Sequence, residues 1–151
     1  MTYLILTQTN FNKLKEQVKK SKNKKIIFTS EDDDLNRKVL EKLEINLLLL
    51  NQKNRKDFAK QRNSGFNQIL AKIAKKNKIQ IGINLDEIIK AKEKQKAKIL
   101  ARTQQNIKLC NKNKIQMQFI SKQKKNLNSL KSLGLTLGMP TWMTSEFENI
   151  F

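Results

Sequence analysis

The chain has 151 residues, and its 32 lysines and arginines against 13 aspartates and glutamates give a formal charge of +19 at pH 7. This excess is far larger than solubility requires and indicates a partner with many phosphates, nucleic acid first and an anionic membrane surface second. Because histidine is absent and Cys110 is the one cysteine, the chain alone excludes a zinc site, a Ser-His-Asp triad, a Cys-His pair and an internal disulfide.

Short apolar runs alternate with amphipathic stretches along the chain. The runs at 2–6, 25–29, 45–50, 79–83 and 115–120 predict buried strands, because most of them are apolar on both faces. Apolar residues spaced three and four apart after these runs predict helices. This alternation indicates right-handed crossovers and a parallel sheet, with functional loops at the carboxyl ends of the strands. Five strands are too few to close an eight-stranded barrel, so we expect a sheet that is open, incompletely closed or completed by a partner.

The chain is predicted to form a single α/β nucleic-acid-binding domain at 1–138 with an apolar tail at 139–151. Pro140 breaks the chain near the start of the tail. The aromatic residues of the tail are Trp142, Phe147 and Phe151. They are predicted to bind a partner protein, as exposed apolar patches often do, and the alternative is that they pack back on the domain.

The stretch RKDFAKQRNSGFNQILAKIAKK at 55–76 begins with cations and runs into a helical pattern. Ser64 is predicted to cap that helix with Gly65 as its first residue, and the free amides of a helix start favour phosphate. Because this loop follows the third strand, we expect it at the strand's carboxyl edge. The residues of the loop that are predicted to bind nucleic acid are Arg55, Lys56, Lys60, Arg62, Asn63 and Ser64. The alternative is a solvated basic loop without a ligand.

A second basic feature is the helical pattern at 94–114, in which cationic and polar residues recur near one face. The residues of that face that are predicted to bind nucleic acid are Lys98, Arg102 and Asn106. The alternative is a solvent-exposed helix face that binds no ligand. Cys110 follows the apolar spacing of the same helix, which predicts a buried thiol rather than a nucleophile.

Two other features favour structural explanations. The acidic run EDDD at 31–34 follows Ser30, a plausible N-cap, so carboxylates in a first helical turn are favoured over a metal site. Gly82, in the middle of the fourth apolar run, indicates a tight backbone approach or a bulge. No residue is therefore predicted to be catalytic or to bind a metal.

Two long segments of the chain resemble the ribonuclease P protein component 3 family of archaea and eukaryotes. They are NRKDFAKQRNSGFNQILAKIAKKNKIQIGINL at 54–85 and KAKILARTQQNIKLCNKNKIQMQFIS at 96–121. The family order is a strand, a basic loop, an SGxN helix start, a buried strand, an RxxxNxxLC helix, another strand and a closing helix similar to SLKSLGLTLGM. The resemblance extends over about residues 25 to 139.

The resemblance implies a TIM-barrel-like fold of the polymerase and histidinol phosphatase superfamily, reduced or incompletely closed here because the chain is short. It also implies an RNA-binding subunit of ribonuclease P, which removes 5′ leaders from precursor tRNA. In this family the RNA performs the hydrolysis with Mg²⁺, so the resemblance implies no cofactor and no intrinsic catalytic site for this chain. The implied partners are ribonuclease P RNA, component 2 and other ribonuclease P proteins, with precursor tRNA contacted indirectly.

Two other function classes fit part of the sequence. A general basic RNA-binding or ribosome-associated protein would account for the charge without a role in tRNA 5′ maturation. An active phosphoesterase of the parent superfamily needs clustered His and Asp ligands for metals that generate hydroxide, and histidine is absent here. The N-terminus lacks a basic leader, and Asn46 interrupts the longest apolar run, so a cytoplasmic protein that does not enter a membrane is expected.

Overall fold

The computed structural model describes residues 2–150, in which strands and helices alternate. The strands are β1 (Tyr3–Leu6), β2 (Lys25–Thr29), β3 (Leu47–Leu50), β4 (Gln80–Asn84) and β5 (Met117–Ile120). The helices are α1 (Phe11–Lys20), α2 (Asp33–Lys42), α3 (Gln68–Lys76), α4 (Leu85–Lys90), α5 (Glu93–Asn113), α6 (Leu127–Thr136) and α7 (Thr141–Thr144). All five predicted strands are present, whereas the sequence patterns did not predict the short helices α4 and α7.

The strands form one parallel sheet in the order β1-β2-β3-β4-β5. Each strand lies beside the next strand of the chain, so right-handed crossovers place the connecting helices on one face of the sheet. This is the arrangement of a TIM barrel, in which helices surround a sheet that closes on itself. Within residues 2–150 the sheet is unclosed, with β1 and β5 at its edges. The predicted α/β fold with an incompletely closed, TIM-barrel-like sheet is confirmed.

Alternate strand residues supply two apolar layers, one on each face of the sheet. The layer against the helices includes Ile26, Phe28, Leu48, Leu50, Ile81 and Met117. The layer on the other face consists of Ile27, Leu47, Leu49, Ile120 and Ile150, with Tyr3 packed against it. Because both faces are covered, the strands are apolar on both sides, which explains the continuous apolar runs in the sequence.

The described part of the tail packs along β5 and reaches both layers. Gln118 of β5 donates to the Glu146 carbonyl at 2.9 Å and accepts from the Glu148 amide at 3.0 Å. Phe147 is buried edge-on against Phe119, with ring centroids 5.5 Å apart. Phe147 therefore packs in the domain's own core, which corrects its prediction as a partner contact.

The other two tail aromatics differ from Phe147. Trp142 is partly exposed, and the ammonium of Lys114 lies 5.5 Å from the centre of its ring. Phe151, also predicted to bind a partner, lies outside the described residues.

The predictions for Gly82 and Cys110 can be compared directly with the structure. β4 pairs with both neighbours through Gly82 without a bulge, and a Cβ added there would lie 2.6 Å from Cδ2 of Leu47. The tight approach is thus confirmed, and it involves a side chain of the neighbouring strand. Cys110 is fully buried, as predicted, and burial raises the pKa of its thiol.

The N-cap of α2 is Asp32, which corrects the prediction of Ser30. The Asp32 carboxylate accepts from the amides of Asp34 and Leu35 at 3.0 and 3.2 Å. Ser30 instead donates its hydroxyl to the side-chain oxygen of Asn36 at 2.9 Å. The acidic run therefore lies at the start of α2, as expected, but the cap is two residues later than predicted.

Candidate nucleic-acid interface

The long loop between β3 and α3, residues 51–67, leaves the carboxyl edge of the sheet where the sequence placed it. The first turn of the loop is fixed by α4 and α5. The Gln52 amide donates to Oε2 of Glu87 at 2.8 Å, and burial raises the pKa of that carboxyl group. Gln95 donates to the Lys53 carbonyl at 2.7 Å. The loop therefore begins on a fixed base.

Arg102 of α5 is the central support of the loop. Its side chain is 3% exposed, and its guanidinium donates to the carbonyls of Gln52 and Arg55 at 2.9 Å each and to Oδ1 of Asp57 at 3.0 Å. The same Asp57 oxygen accepts from the Asn63 amide at 3.0 Å, so one carboxylate joins both halves of the loop. The bonds from Arg102 and Asn63 hold the pKa of Asp57 below its ordinary value. Arg102 is thus buried and positions the loop, which corrects its prediction as an RNA contact.

Arg55 is also bound within the protein. Its guanidinium forms a two-bond pair with Asp33 at 2.9 Å per bond, and its Nε donates to the Asn51 carbonyl at 2.7 Å. Gly65 has a φ of +74°, and a Cβ at that position would overlap the Arg55 guanidinium. With its side chain 9% exposed, Arg55 fastens the loop to the start of α2. Its guanidinium is therefore not free to bind an external phosphate, contrary to the prediction from the sequence.

Ser64 and Asn106, both predicted RNA contacts, are buried. The Ser64 carbonyl accepts from Gln52 Nε2 at 2.9 Å and from Asn106 Nδ2 at 3.3 Å. The helix also begins later than predicted, because Gly65 is left-handed and Asn67 is the residue that caps α3. Ser64 and Asn106 therefore hold the inner wall of the loop, and no helix start lies at Ser64.

The outer part of the loop is exposed and positive. Phe58 and Gln61 exchange backbone hydrogen bonds of 2.8 and 3.4 Å, which close a tight turn. The exposed cations around this turn are Lys53, Lys56, Lys60 and Arg62. Among residues 2–150, none of them has a carboxylate oxygen within 4.0 Å. Their charge is therefore available to an external anion, whereas Asn63 is partly buried and accepts from the Gly65 amide.

A shallow cavity of about 220 Å³ lies beside Arg62, between the loop and α5. Its lining consists of Arg62, Ala101, Gln104, Gln105 and Lys108. Gln105 donates to the Arg62 carbonyl at 3.3 Å and so joins the two walls. A guanidinium, an ammonium and side-chain amides around one cavity are the donors that bind RNA phosphates and sugars. Lys98 is exposed on the same helix. The sequence did not predict Lys108, whose contribution depends on the position of the loop.

A larger basic cavity, of about 930 Å³, lies at the other end of the strands, where β2, β3 and β4 begin. The lysines that line it are Lys15, Lys19, Lys22, Lys24, Lys42 and Lys78. This end of the sheet receives the carboxyl ends of α1, α2 and α3, where cations are favoured by the helix dipole without any ligand. The loop at the carboxyl edge remains the better candidate, because its shape is fixed by specific internal bonds.

Two structural findings bear on other kinds of site. Among residues 2–150, no three His, Cys, Asp or Glu side chains lie close enough together to hold a metal ion. Within the same range, no helix is both long enough and apolar enough to cross a membrane. What the carboxyl edge offers is a set of cations and amide donors around a fixed loop.

Comparisons with known proteins give a consistent set of relatives, although no protein-family profile matches the chain. Ribonuclease P protein component 3 of Methanococcus maripaludis strain C7 is 32% identical over 109 residues, which cover 71% of this chain and 44% of the relative. Ribonuclease P protein component 3 of Methanococcus vannielii is 32% identical over 111 residues, which cover 72% of this chain and 46% of the relative. The chain spans less than half the length of these curated relatives.

A solved structure shares the fold. A chain in the cryo-EM structure of archaeal ribonuclease P with mature tRNA matches with a TM-score of 0.79 at 22% identity, covering 93% of this chain and 62% of that chain. At this identity the structural likeness establishes the fold, and the relationship rests on the curated sequences. Over about 71% of its length the chain is thus similar in sequence to proteins of the ribonuclease P protein component 3 family.

Proposed function

We propose that this chain is an RNA-binding protein subunit of ribonuclease P, supporting the catalytic RNA in removing 5′ leaders from precursor tRNA. The observation that carries the proposal is the 32% identity to proteins named ribonuclease P protein component 3. The formal charge of +19 suits a subunit that binds a large RNA. The chain itself then binds no metal and performs no chemistry, and Mg²⁺ acts on the RNA.

The RNA contact in this proposal is the outer loop with the adjacent face of α5. Its proposed ligands are the exposed cations Lys56, Lys60, Arg62 and Lys98. Arg62 is assigned the leading role, because it lines the same cavity as Gln105 and Lys108 and is the arginine of the exposed cations named here. Arg55, Arg102, Ser64 and Asn106 act indirectly, by holding the loop in shape.

The proposed protein partner is component 2, with other ribonuclease P proteins nearby, in the cytoplasm. Trp142 is retained as a candidate contact for that partner because it is partly exposed. Replacing Trp142 with Ala should weaken co-purification with component 2. Unchanged affinity by calorimetry would remove Trp142 from the partner surface.

The proposed function is tested by reconstitution. Ribonuclease P RNA and component 2 are combined with precursor tRNA and Mg²⁺, with and without this chain, and leader removal is measured. The chain should increase leader removal, and it should cleave nothing when the RNA subunit is omitted. A chain that binds RNA but leaves leader removal unchanged would instead be a general RNA-binding protein.

The role of Arg62 is tested with an arginine control. Arg62→Ala should weaken RNA binding and reduce the slope of log affinity against log salt by about one, because one phosphate contact is lost. Arg62→Lys should restore binding only in part, since it keeps the charge but loses the planar fork. Arg37→Ala is the matched control, because Arg37 is exposed on α2 and pairs with Glu41. Equal losses for Arg62→Ala and Arg37→Ala would show that only net charge matters.

A further inference from the structure

Phe58 is an exposed aromatic side chain at the tip of the basic loop. It is 62% exposed, the largest value among the exposed large apolar side chains, and within residues 2–150 the others are aliphatic. Those others are Ile69, Ile89, Leu135 and Ile5. The remaining described aromatics are buried or partly buried. An aromatic ring in water at this position is therefore exceptional for this chain.

The backbone that carries Phe58 is held in place. Its own amide and carbonyl bond to Gln61, and the preceding residue, Asp57, is tied to Arg102 and to the Asn63 amide. A ring on a fixed turn loses little conformational freedom when it binds a flat partner. The internal bonds of the loop thus present the ring as well as the cations.

The surroundings of Phe58 indicate what the ring binds. Lys56, Lys60 and Arg62 lie within four positions of it and are exposed, and the one acidic residue of this turn, Asp57, is bonded to Arg102. A cationic setting attracts a polyanion. Single-stranded RNA combines phosphates for the cations with unstacked bases for an aromatic face.

We infer that Phe58 stacks on an unpaired RNA base while the neighbouring cations bind the flanking phosphates. The inference rests on the proposed function, because it assumes that the loop binds RNA. Charge alone would let this surface bind duplex and single-stranded RNA equally well. The exposed ring adds a preference for a single-stranded segment. It also predicts tolerance of base identity, since every base has a stacking face.

The test measures binding of the full chain to a fluorescent oligouridylate and to an RNA duplex of the same length, by anisotropy. Phe58→Ala should lower affinity for the oligouridylate by about 5- to 150-fold, the range for loss of one base-aromatic stack. Its salt slope should stay unchanged, because no phosphate contact is removed. Phe58→Trp should bind as well as the wild type, whereas Phe58→Leu, apolar but without a ring, should behave like Phe58→Ala. Duplex affinity should be the same for all variants.

Leu135→Ala, on the exposed side of α6, is the control for loss of an exposed apolar side chain. Equal oligouridylate affinity for Phe58→Ala and Leu135→Ala would overturn the stacking inference while leaving the proposed function intact. Unchanged RNA binding together with weaker binding of component 2 would make Phe58 a protein contact and also overturn it. A wild-type chain that binds neither the oligouridylate nor the duplex, and that adds nothing to leader removal, would refute the proposed function itself.

Discussion

Replacing Arg102 with Ala tests whether this residue supports the loop or binds RNA directly. The substitution removes hydrogen bonds to two main-chain carbonyls, those of Gln52 and Arg55, and one to Asp57. A hydrogen bond from a charged donor contributes about 1.5 to 3 kcal/mol, so the two carbonyl bonds at the lower value give about 3 kcal/mol. The Asp57 side chain is 33% exposed and can be rehydrated, so its bond adds little to this sum.

For a chain of this size, a loss of about 3 kcal/mol corresponds to a fall in melting temperature of about 6 to 12 °C. Thermal unfolding followed by circular dichroism measures that fall, and limited trypsin digestion reports on the loop through cleavage after Lys56 and Arg62. Digestion at these sites should accelerate in Arg102→Ala. Lys98→Ala, one turn earlier on α5 and exposed, makes the same charge change and should alter neither quantity.

One result would refute this reasoning. If Arg102→Ala melts and digests like the wild type but loses RNA affinity, Arg102 is a direct ligand and the buried geometry does not describe its role. If the loop loosens and RNA affinity falls with it, the loss of binding follows from the loss of shape. RNA titration of Arg102→Ala and Arg62→Ala side by side separates the two cases, because only Arg62→Ala should bind less while keeping the loop intact.

Three further predictions concern titration and packing. The folded-state pKa of Asp57 lies below its ordinary value of 3.8, so the bonds of its carboxylate stabilise the loop above that pH and are lost as pH falls through the folded pKa. The difference in melting temperature between wild type and Asp57→Asn should therefore be constant near neutrality and disappear in acid. Gly82→Ala should destabilise the fold by about 1 to 3 kcal/mol in urea titrations, because the new methyl group displaces the Leu47 side chain, and an unchanged midpoint would contradict the packing described. Cys110 should react with a thiol reagent only as fast as the protein unfolds, because it is buried and its pKa is raised; rapid labelling of the native protein would place it at the surface.

The sheet could be predicted from the sequence because its signals are local. β2 was predicted at its observed bounds, and the other strands to within one or two residues at each end. A strand covered on both faces must be apolar throughout, and such a run is visible without knowledge of its neighbours. The helices α1 and α2 have the three-and-four spacing of one buried face, which is equally local.

The loop could not be predicted in the same way, because its shape depends on contacts between distant residues. Ser64 and Asn67 are both good capping residues, and the choice of Asn67 follows from the left-handed φ of Gly65. The missing Cβ of Gly65 also leaves room for the Arg55 guanidinium. The regular spacing of Lys98 and Arg102 on α5 indicates that they share a helix face. It does not indicate that the loop covers Arg102 and leaves Lys98 exposed. Composition counts a buried arginine and an exposed one alike, so the sequence does not separate the buried Arg102 from the exposed Arg62.

The four arginines of the chain clarify which cations face outward. Arg37, Arg55 and Arg102 each have a carboxylate oxygen within 4.0 Å, whereas Lys25 is the one lysine of residues 2–150 that does. A guanidinium fixes acceptors in a plane, while an ammonium on a flexible stem provides mainly charge, so arginine suits internal supports and lysine suits a diffuse positive surface. Arg62 departs from this division, being exposed and, among the described residues, without such a carboxylate. A fork held on a fixed loop and not occupied by an internal carboxylate matches the geometry of an external phosphate, which is why Arg62 is the arginine assigned to RNA.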